Sequence, residues 1–188
     1  MNLEKLTQKS QELLNSANAI TIEMDHQEIA PLHILKAILQ DDNGIASSII
    51  KKAGASLDSL LNKTDIELKR IPSVTGNGVG QSSLSRESFK VLSEAEKIAK
   101  DRKDEYISTE HILLGLIEKI QDVKRIFSDE NLNYNDIKNT LEALRNNQRV
   151  TSQNPEDSFN ALDKFSRDLT EMARNGKLDP VIGRDEEI

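Results

Sequence analysis

The sequence predicts an all-α fold: a duplicated four-helix repeat packed as one pseudo-twofold, eight-helix domain, followed by a linker and a short helical lead-in. Three observations predict it. The first is an internal repeat. Ile29-Ala-Pro-Leu-His-Ile-Leu-Lys-Ala-Ile-Leu39 returns as Ile107-Ser-Thr-Glu-His-Ile-Leu-Leu-Gly-Leu-Ile117, an offset of 111 − 33 = 78 residues. The same offset sets Leu6 on Leu84, Thr7 on Ser85, Leu14 on Leu92, Ala17 on Ala95 and Ile20 on Ile98, and after one deletion Ile49, Leu57 and Leu60 fall on Ile126, Tyr134 and Ile137. The second is composition: 36% apolar, 3% aromatic and 30% charged residues suit amphipathic helices with an aliphatic core, whereas a β-sandwich wants more β-branched and aromatic side chains. The third is apolar spacing at three, four and seven residues along each segment.

The elements follow in order. Leu3, Leu6, Leu13, Leu14, Ala17 and Ile20 place a first helix from Leu3 to about Met24, with Asn2 able to cap it and Asp25-His-Gln-Glu28 as the loop that ends it. Pro31 suits the first turn of a second helix, where its missing N–H has no helical partner, and that helix stops at Asp41-Asp-Asn-Gly44. A third covers Ile45–Lys52 and ends at Gly54, suited to a left-handed C-cap. Ser56 caps a fourth, carrying Leu57, Leu60, Leu61, Thr64 and Leu68 to Arg70. Pro72 to Ser83 is a linker by composition. Its glycines lack the preceding strand and the spacing of a phosphate-binding loop. In the second copy, Phe89, Val91, Leu92, Ala95, Ile98 and Ala99 make the long helix, and Ser108 caps the repeated one. A short helix with Val123, Ile126 and Phe127 follows, then a last one capped by Asn133, with Asp136 placed to reach back to the cap.

The predicted organisation is therefore a double-repeat domain over 1–147, with copies at 3–71 and 84–147, a flexible linker at 148–158, and a truncated further module at 159–188. In that tail Leu162, Phe165, Leu169 and Met172 share a helical face, while Leu178, Val181, Ile182 and Ile188 have nothing obvious to pack on.

Several function classes are disfavoured. A net charge of −7 argues against a nucleic-acid backbone as partner, since phosphate neutralisation needs a Lys/Arg-rich face. Without cysteine there is no disulfide, no thiolate chemistry and no Cys-bound zinc. No apolar run approaches the roughly 18 residues of a membrane span, and no targeting signal opens the chain, so a soluble cytoplasmic protein is expected. The paired His33 and His111 lie in first helical turns among apolar neighbours. With Ile29 and Ala37 four residues away, His33 has no helical metal partner, so packing and a hydrogen bond to a nearby loop is the expected role for both. No serine nucleophile elbow or His-Glu-x-x-His is present, and pairs such as Asp41/Asp42 and Asp129/Glu130 fall at helix ends. Nothing supports enzyme chemistry within residues 1–188.

The double unit with Glu110-His-Ile-Leu-Leu-Gly-Leu116 resembles the duplicated N-terminal domain of Hsp100/Clp unfoldases. The tail, with Arg167-Asp-Leu-Thr170 and Gly176-Lys-Leu-Asp-Pro-Val-Ile-Gly-Arg-Asp-Glu-Glu187, resembles the entry into the first AAA+ module of the disaggregase branch, and the start Met1-Asn-Leu-Glu-Lys-Leu-Thr7 fits it too. The resemblance implies a hexameric ATP- and Mg-dependent chaperone that threads aggregated polypeptides with a DnaK-type co-chaperone. The Walker motifs would follow Ile188, so the fragment is expected to be monomeric, to carry no cofactor and to hydrolyse no ATP; Val181, Ile182 and Gly183 would border a partial adenine pocket. An adaptor-docking N-domain of a proteolytic Clp unfoldase is the alternative. The resemblance further implies that Thr7, Asp104 and Glu110 engage unfolded substrate.

A weakly binding aliphatic groove with a polar rim suits a chain this poor in aromatic anchors. Leu13 near Thr7 is expected to form one wall, and Leu92 and Leu114 the other. Leu114 draws attention because its repeat partner is Lys36, and such a break in symmetry suggests a surface position.

Overall fold

A computed structural model describes residues 3–76, 82–146 and 149–153, together with Pro155. After a 3-10 turn at Leu3–Lys5, the first copy holds α1 (Gln8–Glu23), α2 (Pro31–Gln40), α3 (Ile45–Lys52) and α4 (Leu57–Leu68). The second holds α5 (Arg86–Asp101), α6 (Thr109–Lys119), α7 (Gln121–Ser128) and α8 (Tyr134–Arg145). Among the described residues the fold is all-α, as the periodicity predicts.

The two copies meet by exchanging equivalent contacts. Leu6 makes an isolated parallel bridge with Ile107, and Ile29 makes the same bridge with Leu84. Leu6/Leu84 and Ile29/Ile107 are repeat mates, so each copy gives the other what it receives, which is the signature of a twofold-related interface. The detail repeats as well. Thr7 N–H donates to the Ile107 carbonyl at 3.0 Å and Ser85 N–H to the Ile29 carbonyl at 3.0 Å. The Ser10 hydroxyl donates to the Ile107 carbonyl at 2.9 Å, and its mate Ser88 donates to the Ile29 carbonyl at 2.7 Å.

Helices α2 and α6 form the centre. α2 buries every residue except Lys36 and Gln40, and α6 buries Glu110 through Ile117. A helix apolar on nearly all sides must be enclosed, and each long helix, α1 or α5, covers the central helix of its own copy. The core that results is aliphatic, with Phe127 as its one fully buried phenyl ring among the described residues.

Helix ends use matched chemistry in both copies. After α1 and α5, Asp25 and Lys103 adopt left-handed backbone at φ 57° and 62°, so that the next N–H groups turn back to the Thr21 and Ala99 carbonyls. Gly54 at φ 104° and its mate Asn131 at φ 60° do the same after α3 and α7. Ser56 caps α4, and Asn133 and Asp136 exchange hydrogen bonds at the start of α8.

One boundary differs from expectation. α1 begins at Gln8 rather than Leu3, because the backbone of Leu6 and Thr7 is engaged by the other copy and the Thr7 hydroxyl caps Ser10 at 3.1 Å. The expected joint at 148–158 also contains a docked stretch. Val150 is fully buried, its carbonyl accepts from Glu105 N–H at 2.8 Å, and the Gln153 carbonyl accepts from Gln8 N–H at 2.8 Å.

Candidate functional site: an apolar groove beside a buried charge cluster

Because α1 starts late, the Leu3–Lys5 turn stands apart from it and leaves a groove of about 380 Å³. Leu3, Leu6, Leu14, Ile29 and Leu84 supply its apolar surface, and Gln11, Asn15, Asn18 and Ser82 its polar rim. The edges are tied: the Gln11 amide donates to the Leu6 carbonyl at 3.2 Å, and Ser82 N–H donates to the Asn18 side chain at 3.1 Å. Leu3 stays 58% exposed at the mouth. A second, more polar cavity of about 330 Å³ lies between α1, α2 and the start of α3, lined in part by Lys9, Glu12, Leu13 and Asp41.

Behind the Leu6–Ile107 bridge lies a buried cluster of charges. Arg145 grips Asp104 through two parallel bonds, Nη2 to Oδ1 at 2.7 Å and Nη1 to Oδ2 at 2.9 Å. His111 Nδ1 accepts from Ser108 N–H at 2.9 Å, so its proton sits on Nε2 and is donated to Asp104 Oδ2 at 2.7 Å. Val150 N–H adds a bond to Oδ1 at 2.9 Å. Burial alone would push the Asp104 carboxyl up, but the His111 and Arg145 hydrogen bonds, with the Val150 amide, hold it well below the usual carboxylate range. Glu110 is fully buried 3.9 Å from the same guanidinium, and its carboxylate oxygens make no hydrogen bond.

In the first copy His26 stands where Asp104 does, and the cluster becomes a histidine pair. His33 Nδ1 accepts from Ala30 N–H at 2.9 Å, and Nε2 donates to His26 Nδ1 at 2.7 Å. Both repeated histidines thus close the loop before their own helix. Burial, with His26 beside it, pushes His33 down to about 4. The folded state therefore binds fewer protons than the unfolded chain between pH 6.5 and 4, and stability falls as pH falls through that window, by ~3 kcal/mol at its end. Urea midpoints measured across that range should show this slope, and His26→Asp, which restores the second copy's carboxylate, should flatten it. An unchanged slope in that variant would assign the acid lability elsewhere.

The residues expected to contact substrate fall mostly in the interior. Thr7 and Glu110 are fully buried and Asp104 is 7% exposed: Thr7 caps α1, and the two acids belong to the Arg145 cluster. Leu92 and Leu114 are core residues, so the groove wall expected from them is corrected to core packing. The break in symmetry at Leu114 has a local cause: Lys36 escapes burial by reaching Asp65 at 2.8 Å. Leu13 lines the polar cavity instead of this groove. Val181, Ile182 and Gly183 lie outside the described residues. Sequence reasoning missed Leu3 and Leu14 as groove residues and Arg145 altogether. Leu14 carries no signal of its own, since its mate Leu92 is fully buried. For Arg145 a clue existed in the change from His26 to Asp104 opposite an unchanged histidine.

Comparison with known proteins agrees with this architecture. Residues 5–130 match the family described as the Clp repeat N-terminal domain. The chaperone protein ClpB of Bacillus cereus is 39% identical over 190 residues, and that of Rickettsia conorii 36% over 188, each covering all of this chain. The chain spans only 22% of the length of these relatives. Among solved structures, the Hsp104 N-terminal domain from Candida albicans is similar, with a TM-score of 0.72 and 26% identity, over 81% of this chain and 99% of that one. A ClpV N-domain in complex with a VipB peptide shares the fold, with a TM-score of 0.60 and 18% identity, over 79% of this chain and 92% of that one.

Proposed function

The chain belongs to the Clp repeat N-terminal domain family, and from that premise we propose that it is the polypeptide-engaging N-terminal module of a ClpB-type disaggregase. The observation that carries the reading is the apolar groove between the Leu3–Lys5 turn, α1 and Leu84. Exposed Leu3 and half-buried Leu14 offer aliphatic surface to an apolar segment, and the Gln11, Asn15 and Asn18 amides can hydrogen-bond the backbone of an extended chain. No buried Trp or Tyr anchor lines it, which favours weak, sequence-tolerant capture over recognition of one folded epitope. Unfolded or aggregated polypeptide is the ligand class that matches. The buried Thr7, Asp104 and Glu110 would influence that capture through the fold around them.

For the whole protein the reading extends to a cytoplasmic, hexameric, ATP- and Mg-driven chaperone that works with a DnaK-type partner and refolds aggregated protein after heat stress. Val181, Ile182 and Gly183 would then border the adenine of the first ATPase module. The chain up to Ile188 would not itself be an enzyme.

The test is Leu3→Asp in the present chain. Leu3 is mostly exposed, so the melting temperature should hold within a degree or two, as surface substitutions do. Affinity for a permanently unfolded fluorescent protein should fall about tenfold, the equivalent of one lost aliphatic contact and an added charge. Undiminished binding with intact folding would move the site out of this groove. Binding only of a folded adaptor would favour the proteolytic Clp branch instead.

A further inference from the structure

The Asp104 cluster sits at a place where the chain leaves the domain. Residues 149–153 run back across the seam between the copies: the Val150 carbonyl accepts from Glu105 N–H, and the Gln153 carbonyl accepts from Gln8 N–H. The Gln153 amide also donates to the Glu4 carbonyl at 3.3 Å. Val150 N–H also donates to Asp104 Oδ1 at 2.9 Å, which ties the strap to the buried charge cluster.

The other copy supplies the comparison. There the positions of Asp104, Glu110 and Arg145 hold His26, Leu32 and Leu68, and the domain packs equally well around them. In the segment leaving that copy, Val74 N–H donates to the Asp25 carbonyl and the Ser73 hydroxyl to the Met24 carbonyl, while Val74 remains 52% exposed. Val150 is fully buried. Burying a carboxylate pair and a guanidinium is costly, and apolar side chains of similar size often serve stability as well or better. A charged set kept in the second copy alone, bonded to the departing strand, therefore has a use other than packing.

We propose that Asp104, positioned by Arg145 and His111, is a clasp that holds residues 149–153 on the domain and so sets the direction in which the chain leaves it. The docked strap starts whatever follows from beside Leu3 and Glu4, at the rim of the groove. Released, it would let the domain swing on a longer tether. Asp104 and Arg145 act here as positioning residues, and this role stands whether or not the groove binds polypeptide.

Amide hydrogen exchange in the 188-residue chain tests it, because the Gln8 and Glu105 amides have their acceptors in the strap. Val150→Pro removes the N–H given to Asp104 and leaves Asp104, Arg145 and His111 in place. Gln8 and Glu105 should then lose about tenfold or more of their protection while the α6 amides keep theirs. The triple change Asp104→His, Glu110→Leu and Arg145→Leu, which writes the first copy's residues into the second, should do the same and speed tryptic cleavage after Arg149. Should the triple variant not fold, Val150→Pro decides alone. Full protection of Gln8 and Glu105 in Val150→Pro would overturn the clasp, as would full protection in a folded triple variant.

Discussion

Replacing Asp104 with alanine should cost the domain about 3–5 kcal/mol, read as a drop in the urea midpoint at neutral pH, because it removes the bidentate carboxylate partner of a buried guanidinium. Arg145 is 1% exposed, and Asp104 receives both of its charge-assisted bonds together with the His111 proton. Glu110 at 3.9 Å and Glu142 add negative charge near the guanidinium. The triple change Asp104→Ala, Glu110→Leu and Arg145→Leu should recover much of the loss, since the three buried charges then leave together and the first copy already accommodates Leu32 and Leu68 at the last two positions. The pH dependence has a definite sign. A carboxyl held below its unfolded value contributes stability that is present above about pH 4 and disappears as pH falls further. The wild type should therefore lose stability on acidification below that point, beyond the loss attributed to His33, and Asp104→Ala should lack this last component. If the single variant costs no more than the triple, the cluster is not an interdependent unit.

Gly115→Ala should destabilise by about 2–3 kcal/mol, although it adds only one methyl group to a helix that alanine ordinarily favours. A Cβ built on Gly115 would stand 2.7 Å from the Val91 carbonyl oxygen and 3.3 Å from the Ala95 amide nitrogen. Both are backbone atoms of α5, so relief requires the whole helix to move off α6. Its repeat mate Ala37 already carries that methyl in the first copy, buried at 4% exposure, so Ala37→Gly should leave space rather than relieve a clash. Thermal melts of the two variants should thus differ strongly in the size of the effect. A Gly115→Ala protein as stable as the parent would mean that α5 and α6 can separate freely, contrary to the close approach at Val91.

The repeat itself was legible because duplication preserves residue class wherever the core demands it. Ile34/Ile112 and Leu35/Leu113 are fully buried in both copies, and identical burial selects identical side chains. Several helix ends were legible for a local reason too, since the left-handed turn at Gly54 and the first-turn caps at Ser56 and Asn133 act over a few residues. The start of α1 was not. Apolar spacing extends the helix back to Leu3, and only the pairing of Leu6 with Ile107, a hundred residues away in round terms, interrupts it.

Sequence alone determined that this protein is all-α, that it is doubled, and that its histidines serve the fold, because periodicity, repetition and capping are short-range or self-referential signals. Tertiary structure decided which leucines face solvent and which charges are buried. Leu14 and Leu92 are mates of the same residue type, yet one lines the groove and the other lies in the core. Lys36 and Leu114 are mates of opposite character, settled by whether α4 brings an Asp65 within 2.8 Å. Asp104 reads in sequence as a loop acid after a helix. Its meaning comes from an arginine 41 residues on and a backbone amide 46 residues on, and no pattern within a helix turn encodes that meeting.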